Sequence, residues 1–336
     1  MSDYPVQFVH VGMGKCASTF LQSIWTYDEA YTPVLATDLR QACRDMAVDQ
    51  TLTEIPVATR PSPDLNGLVQ VASDEGFTFS FATDTANQDR IERLYEVSAH
   101  VLGKSMMTDT VFIMVRDPIS WISSVYGQSI KEGNFRSYEQ FFKDQNVFIR
   151  QSLNMAKIIT TFAEQFPRVV VLPLEMLKDD SNQFWQLYAS ELKAPIPNED
   201  TLDLARQTAN EQFSDEKLFY QYQHNIIMNR LRGYTHLLTP DLFGGEDHKD
   251  KIDLQFHNYH FYSRMIMEQL DDGQAKALMD GVKLGKRSDV TERFIDPSMQ
   301  DFLLTHMIEP LKITGLLPNH YIQSYTESVM AAELKI

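Results

Sequence analysis

Cysteine is nearly absent from this chain of 336 residues, which contains only Cys16 and Cys43. Two thiols give no disulfide framework, and no Cys/His spacing typical of a zinc site occurs, so the sequence predicts a protein without bound metal. Long apolar runs are also missing, and the first residues carry neither the basic region nor the apolar core of a secretory leader. We therefore expect a cytoplasmic protein with no membrane partner.

Positive charge is scarce as well. The chain has 30 Lys and Arg residues against 46 Asp and Glu residues, which gives a formal net charge of −16. Such an excess of negative charge repels nucleic acid and anionic membranes, so neither is an expected partner. A hydrophobic content of 43%, with 11% aromatic residues, is typical of a globular protein. Any anionic ligand must therefore be held by positive groups gathered at one place.

Residues 6–25 predict a strand, a tight turn and a helix. The first of them are rich in Val and Phe, and two glycines then interrupt the strand, because residues without a Cβ allow a tight turn and a close approach of backbone to ligand. After Lys15 the apolar residues follow helical spacing. Free amides and the positive end of the helix dipole attract anions, and Lys15, Ser18 and Thr19 add a charge and two hydroxyls. The stretch predicts a phosphate-binding loop.

The main alternative for this loop is the P-loop of nucleoside triphosphatases. That motif needs a Gly, four further residues and then Gly-Lys-Ser/Thr. The Gly14-Lys15 pair is present, but Val9 occupies the position of the first Gly and Cys16 that of the hydroxyl that holds magnesium. The loop therefore favours a phosphate-bearing ligand that is bound without a metal ion.

A second phosphate-binding stretch follows the clearest buried strand, residues 111–115. Arg116 leaves this strand, Asp117 is a natural N-cap and Pro118 a natural first residue of a helix. Ser124 lies about two turns along that helix. A guanidinium and a hydroxyl in these positions are able to clamp a phosphate.

Together the two stretches resemble those of sulfotransferases that use 3′-phosphoadenosine 5′-phosphosulfate (PAPS). The first is similar to their 5′-phosphosulfate loop, Pro-Lys-Ser/Thr-Gly-Thr-Thr, with Gly14 in place of the Pro, Cys16 in place of the first hydroxyl and Ala17 in place of the Gly. The second matches their 3′-phosphate motif, Arg-Asp-Pro followed after five residues by Ser, from Arg116 to Ser124.

The resemblance implies that PAPS is the donor substrate and that no metal takes part. Lys15 would stabilise the leaving phosphate, while Arg116 and Ser124 would hold the 3′-phosphate. The donor-binding residues that the resemblance implies are Gly14, Lys15, Cys16, Ala17, Ser18, Thr19, Arg116 and Ser124.

The general base is the least clear part of the predicted site. Sulfotransferases often place a Glu or His near the end of the second strand. Residues 77–81 alternate apolar and polar side chains and predict that strand here, with Asp84 just beyond its end. We therefore take Asp84 as the candidate catalytic base.

Strands alternate with helices as far as residue 193, which predicts an α/β fold with a parallel central sheet flanked by helices, of the sulfotransferase-like, P-loop type. We expect one domain over residues 1–336. Residues 1–200 would form a donor-binding α/β core, and residues 201–336 a mainly helical region that shapes the acceptor pocket and covers the site. Within it, residues 214–231 predict an amphipathic helix and residues 237–250 a loop.

The predicted reaction is in-line transfer of a sulfuryl group from PAPS to a hydroxyl of a small-molecule or carbohydrate acceptor. Two alternatives remain open: a P-loop kinase-like phosphotransferase, and a non-catalytic nucleotide-binding protein of the same fold. The sequence does not indicate the acceptor or the oligomeric state. It also leaves open whether Lys286 and Arg287 contact the donor.

Overall fold

The computed structural model describes residues 4–34, 37–49, 68–79, 90–208, 213–243, 247–282 and 284–335. The chain divides into two compact units. Residues 1–121, 147–210 and 295–336 form the first unit, and residues 122–146 and 211–294 form the second. The expected single domain, with its division at residue 200, stays a prediction.

The first unit contains a sheet of five parallel strands in the order β3-β4-β2-β6-β7. A separate parallel pair joins β1 to β5. The strands are β1 Tyr4–Pro5, β2 Phe8–His10, β3 Tyr31–Val34, β4 Val69–Ser73, β5 Met106–Met107, β6 Thr110–Val115, β7 Arg168–Pro173, β8 Phe294–Ile295 and β9 Glu333–Leu334.

The central strands are buried because their apolar residues run without alternation, as expected for a parallel sheet covered on both faces. Every residue of β2 and of β6 is buried. In β2, Val9 is in register with Ala72 of β4 and with Val111 of β6, so this short strand is paired on both edges. The prediction of a parallel central sheet flanked by helices is confirmed.

Four neighbouring strands end at the same edge of this sheet. In the observed register His10 is opposite Ser73, and Val115 is opposite Pro173. Carboxyl ends of parallel strands are where such sheets bind ligands. The segments that follow β2, β4, β6 and β7 are therefore brought together by the strand order.

Helices make up most of the remaining chain. They are α1 Ser18–Tyr27, α2 Thr37–Val48, α3 Ile91–Ser105, α4 Pro118–Lys131, α5 Tyr138–Asp144, α6 Asn146–Leu153, α7 Met155–Ala163, α8 Leu174–Asp179, α9 Ser181–Leu192, α10 Glu199–Thr208, α11 Asp215–Phe243, α12 Asp247–Gln269, α13 Asp272–Leu278, α14 Ser288–Thr291, α15 Pro297–Phe302, α16 Glu309–Ile313 and α17 Asn319–Ala331. A 3₁₀ turn spans Glu75–Phe77, and a π-helical turn spans Leu303–Ile308.

Two helix starts follow their sequence signals closely. The Ser120 amide donates to Asp117 Oδ1 at 2.7 Å, so Asp117 caps α4 ahead of Pro118. At α5 the Gln140 amide donates to the Ser137 hydroxyl, and the Ser137 amide donates to the Gln140 side chain, which completes a capping box.

The strand predicted over residues 77–81 is wrong in the part that the structure describes. The strand that pairs with β2 in this part of the chain is β4, Val69–Ser73, and Phe77 and Phe79 belong to the turn that follows it. Both rings are buried, at 0% and 2% exposure, and the Thr78 hydroxyl between them donates to the Gly12 carbonyl at 2.8 Å. The alternation thus comes from packing around a loop and not from a sheet.

The loop predicted over residues 237–250 is also wrong for most of its length. The helix α11 continues to Phe243, and α12 begins at Asp247. A single Gly or Pro costs a helix about 1–3 kcal/mol, which the rest of a long helix is able to outweigh. The expectation of a mainly helical C-terminal region is confirmed. Among the described helices, none combines the length and apolar character that a membrane crossing requires.

Candidate functional site

The loop between β2 and α1 has a conformation that L-residues rarely adopt. Lys15 has a φ of 69° and Ala17, the N-cap of α1, a φ of 61°. Each left-handed residue other than Gly costs about 1–2 kcal/mol. Left-handed residues in a turn direct neighbouring amides into an anion-binding concavity. The surrounding structure must therefore hold this loop in place.

Three side chains hold it by its carbonyl oxygens. The Thr78 hydroxyl donates to Gly12 O at 2.8 Å and Trp121 Nε1 donates to Gly14 O at 2.8 Å. Arg116 donates from its guanidinium to Lys15 O at 3.2 Å. The donors come from the segment after β4, from α4 and from the end of β6. Three parts of the first unit thus converge on one loop.

These bonds set the direction of the loop amides. In a trans peptide the N–H points away from the C=O of the same plane, and no peptide bond is cis among the residues that the structure describes. Fixing the carbonyls of residues 12, 14 and 15 therefore also fixes the amides of Met13, Lys15 and Cys16. The loop is organised before a ligand arrives.

Steric contacts explain both glycines of the loop. A Cβ on Gly14 would lie 2.4 Å from the Phe79 ring, so Gly14 is needed for close packing. A Cβ on Gly12 would lie 2.8 Å from both the His10 ring and the Ser18 hydroxyl. Neither glycine has a positive φ, so space and not backbone conformation requires them.

The remaining loop residues differ in their exposure to solvent. The thiol of Cys16 is fully buried and burial raises its pKa, so only its backbone is able to meet a ligand. Ser18 is 3% exposed at the start of α1, whereas Thr19 is exposed and Lys15 is half-buried.

Glu75 is a carboxylate of this site that is not among the residues predicted from the sequence. It follows β4 by two residues, in the turn that begins at Asp74. Burial raises the pKa of Glu75 above its ordinary value, while the Ser18 hydroxyl and the positive charge of Lys15 lower it. Glu75 therefore lies close to the loop cation, with a greater tendency to hold a proton than an exposed Glu.

Charged groups surround the buried Cys16 thiol. Besides burial, the charges of Arg116, Glu175, Glu75 and Lys15 all influence its pKa. Of the two carboxylates, Glu175 has structural partners. It accepts from the Asp117 amide at 3.0 Å and from the Tyr325 hydroxyl at 2.5 Å.

His10 lies beneath the loop and has no exposed surface. Its Nδ1 is 2.8 Å from the Ser73 hydroxyl, and the Gln22 side-chain amide donates to that hydroxyl at 3.2 Å. Burial lowers the pKa of His10 to about 3, so its ring is neutral at ordinary pH.

Several predicted residues are not brought to the loop by a described contact. Asp84 lies outside the described residues, so its role stays a prediction. Ser124 is 6% exposed on α4 and belongs to the second unit. In that unit Arg287 pairs with Glu216 at 2.6 Å, and the Lys286 amide donates to Asp289 at 2.8 Å. Contact of Ser124, Lys286 and Arg287 with a donor stays a prediction.

Over the part of the chain that the structure describes, no three His, Cys, Asp or Glu residues form a group able to hold a metal ion. The expectation of a metal-free reaction stays a prediction.

A signal for Glu75 was present in the sequence. A short segment that favours a strand, Val69-Gln70-Val71-Ala72, is followed directly by a cluster of turn-forming residues, Ser73-Asp74-Glu75-Gly76. These residues predict a strand that ends just before Glu75, whereas the alternation at residues 77–81 does not correspond to a strand.

Comparison with known proteins gives little further information. No family model matches the chain, and no curated protein matches it. A crystal structure of a sulfotransferase from Alicyclobacillus acidocaldarius is similar with a TM-score of 0.42 and 15% identity, over 69% of this chain and 96% of that one.

The contact between Gly14 and Phe79 leads to a stability prediction. In Gly14→Ala the added methyl overlaps the Phe79 ring, and we expect the free energy of unfolding to fall by about 1–3 kcal/mol, as for other overpacked cores. Phe79→Leu in the same chain should restore part of the loss. Urea denaturation measures both effects.

Gly127→Ala is the matched control, since a Cβ at Gly127 would lie 3.9 Å from Leu218 in ordinary contact. It lies within α4, where Ala is favoured over Gly, so its stability should be unchanged or raised. Equal losses for the two variants would contradict the steric explanation.

Proposed function

We propose that this protein transfers a sulfuryl group from PAPS to a hydroxyl of an acceptor. The observation that carries the proposal is the bond from Arg116 to Lys15 O, because it joins the two phosphate-binding motifs in one cluster. Two cations and a set of oriented amides suit a donor with phosphate at both its 5′ and 3′ positions. They also supply local positive charge in a protein of net charge −16.

The loop supports a sulfuryl donor better than a nucleoside triphosphate with magnesium. Phosphotransferases with this loop hold magnesium through a Ser or Thr directly after the Lys. Here that residue is Cys16, whose thiol is buried and whose pKa is raised. Its side chain is therefore poorly suited to bind that hard cation.

In the proposed reaction the acceptor oxygen attacks sulfur as the bond from sulfur to the 5′-phosphate oxygen breaks. The leaving group is 3′,5′-phosphoadenosine, and its negative charge grows as that bond breaks. Lys15 and the loop amides stabilise this charge in the transition state. Arg116 holds the 3′-phosphate, with Ser124 as its predicted partner.

We propose Glu75 as the general base that takes the proton of the acceptor hydroxyl. It follows β4, is half-buried, and lies close enough to Lys15 for that charge to lower its pKa. The pKa of Glu75 is raised by burial, which brings a carboxylate closer to the pH at which a base is most effective. It must be ionised to act, so activity should rise with pH through its pKa.

Nucleotide selectivity tests the proposed donor. 3′,5′-Phosphoadenosine should raise the melting temperature without added metal, whereas AMP, which lacks the 3′-phosphate, should raise it far less. In Arg116→Ala the affinity for 3′,5′-phosphoadenosine should fall roughly ten- to a hundredfold, the effect of one charged hydrogen-bonded contact. Calorimetry measures these affinities.

Arg136→Ala is the control for Arg116→Ala, because Arg136 is half-exposed and pairs with Asp144 at 2.9 Å. Its affinity for the nucleotide should stay as in the wild type. Equal stabilisation by AMP, or a strict need for magnesium, would contradict the proposed donor. Tight binding of 3′,5′-phosphoadenosine without transfer to any hydroxyl would favour a non-catalytic binding protein.

The role of Glu75 is tested through pH. Wild-type transfer should weaken as pH falls through the pKa of Glu75, because the protonated carboxyl accepts no proton. Glu75→Gln should lower the rate by about 10²–10⁴-fold and abolish the decrease in rate at acidic pH.

A second test of Glu75 needs no acceptor. The anionic nucleotide should raise the pKa of Glu75 further, so its binding should take up protons in wild type and not in Glu75→Gln.

Proton uptake is read from calorimetry in buffers of different ionisation enthalpy. A Glu75→Gln variant with the wild-type rate and pH profile would show that another group is the base.

A further inference from the structure

The second unit contains a cavity of about 530 Å³, and none of its described lining residues belongs to the loop site. It is bounded by α11, α12 and the end of α13. Its described lining is His224, Asn258, Tyr259, Tyr262, Ser263, Ile266, Met267, Leu278 and Met279. The volume lies within the range of pockets that hold drug-sized ligands, about 300–1,000 Å³.

The walls of this cavity are apolar and partly open to water. Tyr259, Tyr262, Ile266 and Leu278 are 54–62% exposed, which is unusual for four large side chains around one concavity. Met267 lies deeper, at 2% exposure. A ligand that covered these side chains would remove apolar surface from water, which favours binding.

One polar pair lies among these walls. The Ser263 hydroxyl is 3.1 Å from His224 Nδ1 and accepts from Gln221 Nε2 at 3.1 Å. Gln221 is fully buried and also donates to Asn225 at 2.9 Å. This network fixes Ser263 and His224 in position. Burial lowers the pKa of His224, which favours the neutral imidazole.

The charge of the lining decides the class of ligand. None of the described lining residues is Asp, Glu, Lys or Arg. A charged ligand would therefore lose its hydration without gaining a counter-charge. A carbohydrate would leave most of its hydroxyls without partners, at about 1–3 kcal/mol for each buried group.

We propose that this cavity binds an uncharged small molecule with an aromatic or alkyl body and one oxygen that hydrogen-bonds to Ser263 or His224. Binding here does not depend on the proposed sulfuryl transfer. The two are measured separately, because nucleotide affinity reports on the loop of the first unit.

The probe for the test is N-phenyl-1-naphthylamine, an uncharged dye whose fluorescence rises in apolar surroundings. The competitors are 4-hexylphenol, its anionic counterpart 4-hexylbenzoate, and hexylbenzene, which lacks the oxygen. We expect 4-hexylphenol to displace the dye at concentrations at least tenfold lower than 4-hexylbenzoate. Ser263→Ala should weaken the phenol while leaving hexylbenzene nearly unchanged.

Two variants that differ only in the position of an added negative charge test whether the dye binds in this cavity. Ile266→Asp should weaken the dye at least tenfold, whereas Met265→Asp should bind it as wild type does. Met265 is the neighbouring residue on α12, is 48% exposed and is not part of the lining. If Ile266→Asp does not fold, Leu278→Asp introduces the same charge from α13.

Three results would overturn the proposal: equal displacement by the phenol and the benzoate, equal dye binding by Ile266→Asp and Met265→Asp, or dye binding that is lost as the chain self-associates. The last result, seen by light scattering, would show that a second copy of the chain covers these walls.

Discussion

The candidate site depends on the hydrogen bonds that side chains donate to the carbonyl oxygens of residues 12–15. Without them, Lys15 and Ala17 would have little reason to stay in the left-handed region, where each costs about 1–2 kcal/mol. With them, the loop amides keep one direction and the Lys15 side chain starts from a fixed backbone. Trp121 and Thr78 thus serve the proposed chemistry without touching a ligand, through the backbone that they orient.

The sheet supplies the convergence that these bonds require. Because β4, β2, β6 and β7 are parallel neighbours, the segments after them meet at one edge, and each contributes a side chain. These are Glu75 after β4, Lys15 after β2, Arg116 after β6 and Glu175 after β7. The two cations serve the phosphates in the proposed function. Of the carboxylates, Glu175 is occupied by the Asp117 amide and the Tyr325 hydroxyl, which leaves Glu75 as the better candidate base.

Short sequence patterns predict correctly those strands and helix caps that depend only on residues close together in the chain. The buried strand at residues 111–115, the cap at Asp117 and the capping box at Ser137 all follow from short-range rules, and all are present. Long-range packing explains the failures. Phe77 and Phe79 alternate as in a strand because both rings pack inside the first unit, and Phe79 covers Gly14. That contact joins residues far apart in sequence, so periodicity alone predicts a strand where there is none and does not point to Glu75.

In the proposed function, side-chain donors organise the loop for an anionic nucleotide. The most direct test compares Trp121→Phe with Trp25→Phe by calorimetry with 3′,5′-phosphoadenosine. Both indoles are buried and donate one hydrogen bond, Trp121 to Gly14 O at 2.8 Å and Trp25 to the Tyr188 hydroxyl at 2.9 Å. Losing one such bond is worth about 1 kcal/mol, so Trp121→Phe should bind the nucleotide roughly fivefold more weakly, while Trp25→Phe binds as wild type does. Equal affinity in the two folded variants would contradict this account.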